Sequence, residues 1–160
     1  MDGKTRSTSG KLLFLSNKEE TKVSPLLWKS KTISRVCTSP KAAETRAAYM
    51  ASDDAIFMAR TFCEIYTGNR GNSQMEVTMK TDSFSLIETL NSTKQIEEKI
   101  LRPTVQAMKD MMSRKEIENF DWVDTHNCHA DMLTKKDVKK GSDNVLQILR
   151  TGEISFISRD

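Results

Sequence analysis

Nothing in this sequence resembles a membrane span, which needs about 20 consecutive apolar residues. Its first residues, Met1-Asp2-Gly3-Lys4, hold no apolar stretch of the kind that opens a secretory leader. These absences predict an intracellular protein, cytoplasmic or nuclear, with no membrane partner. Cysteine is scarce: Cys37, Cys63 and Cys128 form an odd, scattered set. That excludes a disulfide frame and predicts reduced thiols. No internal repeat recurs along the chain. What is present suits one soluble globular domain with its own core: 160 residues, 37% of them hydrophobic and 29% charged. The expected division is a domain over residues 1–152 and a tail over 153–160. Net charge is only +3, but the positives cluster. Lys29, Lys31 and Arg35 lie on one segment, and Lys135, Lys136, Lys139 and Lys140 on another. Such clusters either meet phosphates or form a solvated surface.

The stretch from Trp28 to Ile65 organises the rest. A basic, strand-like segment reaches Cys37, and Thr38-Ser39-Pro40 then reads as a helix start. Ser39 suits the N-cap, and Pro40 suits the first helical position, where its missing N–H costs nothing. Ala47, Ala51, Ala55, Met58, Phe62 and Ile65 recur at steps of three or four, so they predict one buried face. Upstream, Lys11 to Ser16 and Val23 to Ile33 read as a hairpin, with Pro25 confined to its edge or start. Thr67 to Ser73 is a loop. Gln74 to Thr81 alternates with period two and predicts a strand ending at Asp82. Ser83 can cap a short helix carrying Phe84, Leu86, Ile87 and Leu90. Pro103 starts a better helix than the region from Ile96 before it, with Val105, Ala107, Met108, Met111 and Met112 as core. Ile117 to Asp124 alternates again. Ala130 opens a helical stretch, and a last helix carries Val145, Leu146, Ile148 and Leu149. Hairpin, helix, strand, helices, strand, helix is a mixed α/β order.

Three acids fall at similar places. Glu44 is in the first turn of the long helix, Asp82 ends a strand, and Asp131 opens a helix beyond the next strand. Strand ends are where open α/β sheets place their sites. Converging carboxylates repel one another and are best tolerated around a hard cation such as Mg²⁺. Two such ions can activate water and stabilise a leaving oxygen in phosphodiester cleavage. The competing reading is that each acid only caps its helix at the positive dipole end.

A set of short motifs carries a family likeness. Arg6-Ser7-Thr8-Ser9-Gly10 followed by Leu12 to Leu15, then Trp28-Lys29-Ser30-Lys31, Ala42-Ala43-Glu44, Thr81-Asp82-Ser83, Trp122-Val123 and Ala130-Asp131-Met132-Leu133-Thr134-Lys135 occur in this order. Together they resemble the ribonuclease H domain of copia-type LTR-retrotransposon Pol polyproteins, from about Asp2 to Gly152. The resemblance implies a ribonuclease H-like mixed sheet flanked by helices. It also implies Mg²⁺-dependent hydrolysis of the RNA strand of an RNA–DNA hybrid by two ions, next to a reverse transcriptase portion of the polyprotein. It makes Glu44, Asp82 and Asp131 three of four metal-binding, catalytic carboxylates, and Lys29, Lys31 and Arg35 contacts to the hybrid backbone.

The fourth carboxylate of the family stands on a first, central strand upstream of the Arg6-to-Gly10 motif. No position here matches it: Asp2 falls in the turn that follows that strand, and Asp53 and Asp54 lie about three turns beyond Glu44. The expectation is a domain truncated at its first strand and inactive as it stands, its hairpin lacking a neighbour toward the strand at Thr81. Unpaired strand edges of that kind invite a pairing partner. The alternatives are a competent nuclease extended upstream, a non-catalytic module binding hybrid or duplex, and a strand-borrowing interaction module. His126 and His129 around Cys128 read as surface-loop residues, since their spacing fits no zinc ligand pair.

Overall fold

Ser39 begins the longest element. In the computed structural model, which describes residues 7–34, 37, 39–68, 75–94, 96–134 and 142–154, helix α1 runs Pro40–Thr67. The Ser39 hydroxyl accepts from the Ala42 N–H at 3.1 Å, and Pro40 fills the first turn as expected. At the other end Gly68 takes the left-handed conformation, φ 70°, and its N–H closes on the Glu64 carbonyl.

The chain divides into two compact units. One joins Met1–Val36 to Val123–Asp160, and the other is Cys37–Trp122. The first unit holds an antiparallel hairpin of β1 (Thr8–Ser16) and β2 (Val23–Thr32). Pro25 sits opposite Phe14 where the register shifts, on the edge strand, which is where a residue without an N–H is tolerated. A short 3-10 helix, His129–Leu133, lies on β1, and α4 (Ser142–Thr151) lies against β2. The Ile154 N–H donates to the Thr21 carbonyl, so the chain beyond α4 returns to the hairpin turn. Val145 and Ile148 of α4 are buried, and Leu146 and Leu149 are exposed.

The second unit pairs β3 (Thr78–Thr81) with β4 (Asn119–Trp122) in parallel. Between them run α2 (Phe84–Asn91), a 3-10 turn at Lys99–Leu101 and α3 (Arg102–Ser113). Parallel neighbours require a crossover of this kind. Leu86, Val105, Met108 and Ile117 are fully buried and build the core with Ala42, Leu90, Leu101, Met111 and Phe120. The architecture is mixed α/β, with four α-helices and two separate two-stranded sheets among the described residues. No helix among them is long and apolar enough to cross a membrane.

Several expectations are corrected. The face of α1 that is buried carries Ala42, Thr45, Ser52, Ala55, Ala59 and Cys63. Of the expected stripe only Ala55 is on it, and Ile65 is 72% exposed. The Ser52 hydroxyl bonds the Ala48 carbonyl one turn back, so it buries cheaply, whereas the buried Thr45 hydroxyl has no hydrogen-bond partner among the described residues. Of the period-two run, Gln74 lies outside the described residues, and the strand begins at Thr78, with one further bond from the Glu118 N–H to the Val77 carbonyl. The side chains of the run still alternate, with Val77 and Met79 on the core and Glu76 and Lys80 exposed. The helical stretch expected from Ala130 is a 3-10 helix, His129–Leu133, and its expected end at 135–136 lies outside the described residues. Arg35 and the 135–140 lysines lie outside the described residues.

Candidate functional site

The carboxyl end of β3 gathers the chemistry of the second unit. Asp82 follows the last strand residue and is half-buried. Ser83 occupies the N-cap position of α2 but makes no side-chain cap bond. Its hydroxyl donates instead to Glu44 Oε2 at 2.5 Å. This corrects the capping role expected of Ser83: it stands at the N-cap position, but its side chain is engaged with the Glu44 carboxylate, a charged acceptor, and accepts from no N–H of α2. Glu44, expected in the first turn of α1, is its fifth residue, one turn in, and reaches from there to Ser83. Glu44 is thereby tied to the residue next in sequence to Asp82.

Trp122 ends β4 alongside. Its indole N–H donates to the Asp82 carbonyl oxygen at 3.2 Å, which also accepts from the Phe84 N–H at 3.1 Å. The Phe84 and Trp122 rings meet edge to face, centroids 6.4 Å apart at 88°. One strand position earlier, Lys80 and Asp121 are paired at 3.6 Å.

Asp131 belongs to the other unit, in the His129–Leu133 turn. Its backbone carbonyl and its Oδ1 both accept from the Thr134 hydroxyl, at 2.8 and 3.3 Å. Burial lowers the pKa of the neighbouring His129 imidazole below the ordinary histidine value. Gly10 of β1 explains how this turn lies so near the hairpin. A Cβ there would stand 2.7 Å from the Ala130 carbonyl oxygen and 2.9 Å from Leu133 Cβ. The Ser30 hydroxyl, opposite Gly10, donates to the Leu133 carbonyl at 2.6 Å.

On the opposite face of the hairpin, Lys29 stands across from Lys11, and Lys31 across from Ser9. Lys11 and Ser9 are buried, while Lys29 and Lys31 reach solvent. The lysine face therefore presents two of its three ammonium groups outward.

A hard divalent cation needs several oxygen ligands. Glu44 and Asp82 are two carboxylates at one strand end. Among the described residues, no three His, Cys, Asp or Glu side chains gather into a metal-holding group. The residues present do not by themselves fit a Mg²⁺ centre, and no reaction step is routed through one. Removing the link between α1 and this strand end tests the local geometry. Ser83→Ala is expected to cost about 1 kcal/mol, the value of one hydrogen bond. Urea unfolding read by Trp122 emission checks it, and in a Glu44→Gln background the same substitution should cost less.

Three features escaped the sequence reading. Ser83 looked like a cap because Ser before an apolar run usually is one. Phe84 looked like core, yet it stands two positions before buried Leu86, on the other side of the helix; that spacing could have excluded it. Lys11 sat inside an apolar run, and only the hairpin register reveals its place beside Lys29. No protein-family model, curated protein or solved structure matches this chain.

Proposed function

We propose that this chain is a ribonuclease H-like domain of a retrotransposon Pol polyprotein that binds RNA–DNA hybrid without cutting it unaided. The observation that supports the reading is the hydrogen bond from Ser83 to Glu44, which ties one family-matched acid to the residue beside another, Asp82, at the carboxyl end of β3. The parallel β3–β4 pair with helices between, preceded by a hairpin and α1, is compatible with that fold. Asp131 is the third acid by resemblance. Glu44, Asp82 and Asp131 are three carboxylates of a family set of four. The family's chemistry, Mg²⁺-dependent hydrolysis of the RNA strand, thus requires a donor beyond those matched.

The test is fluorescence anisotropy with a labelled RNA–DNA hybrid, alongside a cutting assay in Mg²⁺. Expected is salt-sensitive binding with no cutting. Lys29→Ala and Lys31→Ala should each reduce the slope of log affinity against log salt by about 1. Cutting by the unaided chain, lost in Asp82→Asn, refutes the inactivity. Absence of hybrid binding refutes the reading itself. If a strand bearing an aspartate is supplied in trans, cutting should appear, and Asp82→Asn should abolish it.

The outward Lys29 and Lys31 favour a second reading, a non-catalytic module that holds nucleic acid by its backbone. It predicts binding of equal strength with Mg²⁺ and with a chelator. A strand-borrowing module is a further form of it: β3 has β4 as its single partner strand among the described residues.

A further inference from the structure

We propose that Phe84 and Trp122 form a stacking platform for a nucleobase of the strand bound at the carboxyl ends of β3 and β4; this rests on the nucleic-acid reading above. Both rings are large and open to solvent, Phe84 at 59% and Trp122 at 51% exposure. Their neighbours on the strands are not: Phe120 is buried, and Val77 and Met79 pack on the core. Trp28, Phe57 and Tyr66 are also exposed, but Phe84 and Trp122 are the exposed pair that stands at the strand ends, beside Asp82 and the Glu44–Ser83 pair.

The one polar atom of the indole is already satisfied by the Asp82 carbonyl. What Trp122 offers a ligand is therefore π surface, not a hydrogen bond. The same bond, the strand beneath it and the perpendicular contact with the Phe84 ring hold the indole in place. A ring fixed beforehand loses little conformational freedom when a flat partner stacks on it. Stacking accepts any base, because every base has a π face.

The charges nearby separate a base from a phosphate. Lys80 is engaged by Asp121, and the adjacent side chains, Glu44 and Asp82, carry negative charge. A phosphate at this place meets repulsion, whereas the face of a base does not. The lysine face of the hairpin has the opposite character and suits the backbone.

The experiment uses the full chain carrying Trp28→Phe, which leaves Trp122 as its single tryptophan, since the sequence has two. Unlabelled RNA–DNA hybrid and single-stranded oligo-dT are titrated while Trp122 emission is followed. Anisotropy of the labelled oligonucleotides is measured separately. Expected is saturable quenching with the same midpoint as the anisotropy change. Phe84→Leu and Trp122→Leu should each weaken binding about tenfold. The quenching arm and Phe84→Leu leave Trp122 intact, so they remain decisive even if Trp122→Leu fails to fold. Binding by anisotropy with unmoved Trp122 emission overturns the platform and leaves hybrid binding standing. No anisotropy change with any oligonucleotide overturns both. Quenching by an arginine-rich peptide and not by oligonucleotides also overturns it, and assigns the rings to a cationic protein partner.

Discussion

Leu86→Ala is expected to destabilise the Cys37–Trp122 unit by about 2–5 kcal/mol. Leu86 is fully buried, and it packs in one cluster with Val105, Met108, Ile117 and Phe120. Truncation removes apolar contacts and leaves a void that helices from different parts of the chain cannot all close. The position also matters to the site. The Leu86 N–H donates to the Ser83 carbonyl, so the first turn of α2 carries the residues that meet Glu44 and Trp122. Trp122 emission in the Trp28→Phe background reads the urea midpoint of this unit directly. A midpoint shift worth under about 1 kcal/mol contradicts the core as described, because it matches a surface substitution. Leu86→Met, which keeps volume, should cost under about 1.5 kcal/mol.

Gly10→Ala is expected to cost the other unit about 1–3 kcal/mol, the range for forcing extra atoms into close packing. The added methyl meets the Ala130 carbonyl oxygen at 2.7 Å. A carbonyl belongs to the backbone and cannot rotate aside as a side chain can, so the His129–Leu133 turn must move. That turn carries Asp131. The loss should therefore appear twice: in the urea midpoint read by Trp28 emission in a Trp122→Phe background, and as a displaced Asp131 carboxyl signal by NMR. An unchanged midpoint removes the assignment of Gly10 as the point of close approach. Gly10 is one of the family-like motif residues, and the structure supplies a packing reason for a residue without a side chain there.

Local signals were legible in the sequence. Ser39-Pro40 starts α1 as read, because an N-cap depends on a few adjacent residues. The helix from Pro103 and the last helix stand where proline and apolar spacing place them, and the hairpin does too except that β1 starts at Thr8, ahead of the apolar run from Lys11. Less legible was the buried side of α1. Hydrophobicity alone selects Ala47, Ala51, Met58, Phe62 and Ile65, while packing selects small residues including Thr45 and Ser52. A hydroxyl that can bond the preceding turn escapes any count of apolar residues. The length of β3 was also out of reach, since a strand lasts only as long as its partner, and β4 lies about forty residues downstream.

By itself the sequence determined the mixed α/β class and the order of elements. Each of these follows from periodicity and caps, which act over one or two turns. Only the tertiary structure decided that the Ser83 hydroxyl serves Glu44 across 39 residues of chain rather than its own helix. It alone revealed that Trp122 turns its indole N–H to Asp82, and that Gly10 admits the Asp131 turn. Those outcomes are competitions among partners distant along the chain, settled by which acceptor or surface arrives closest once the elements pack.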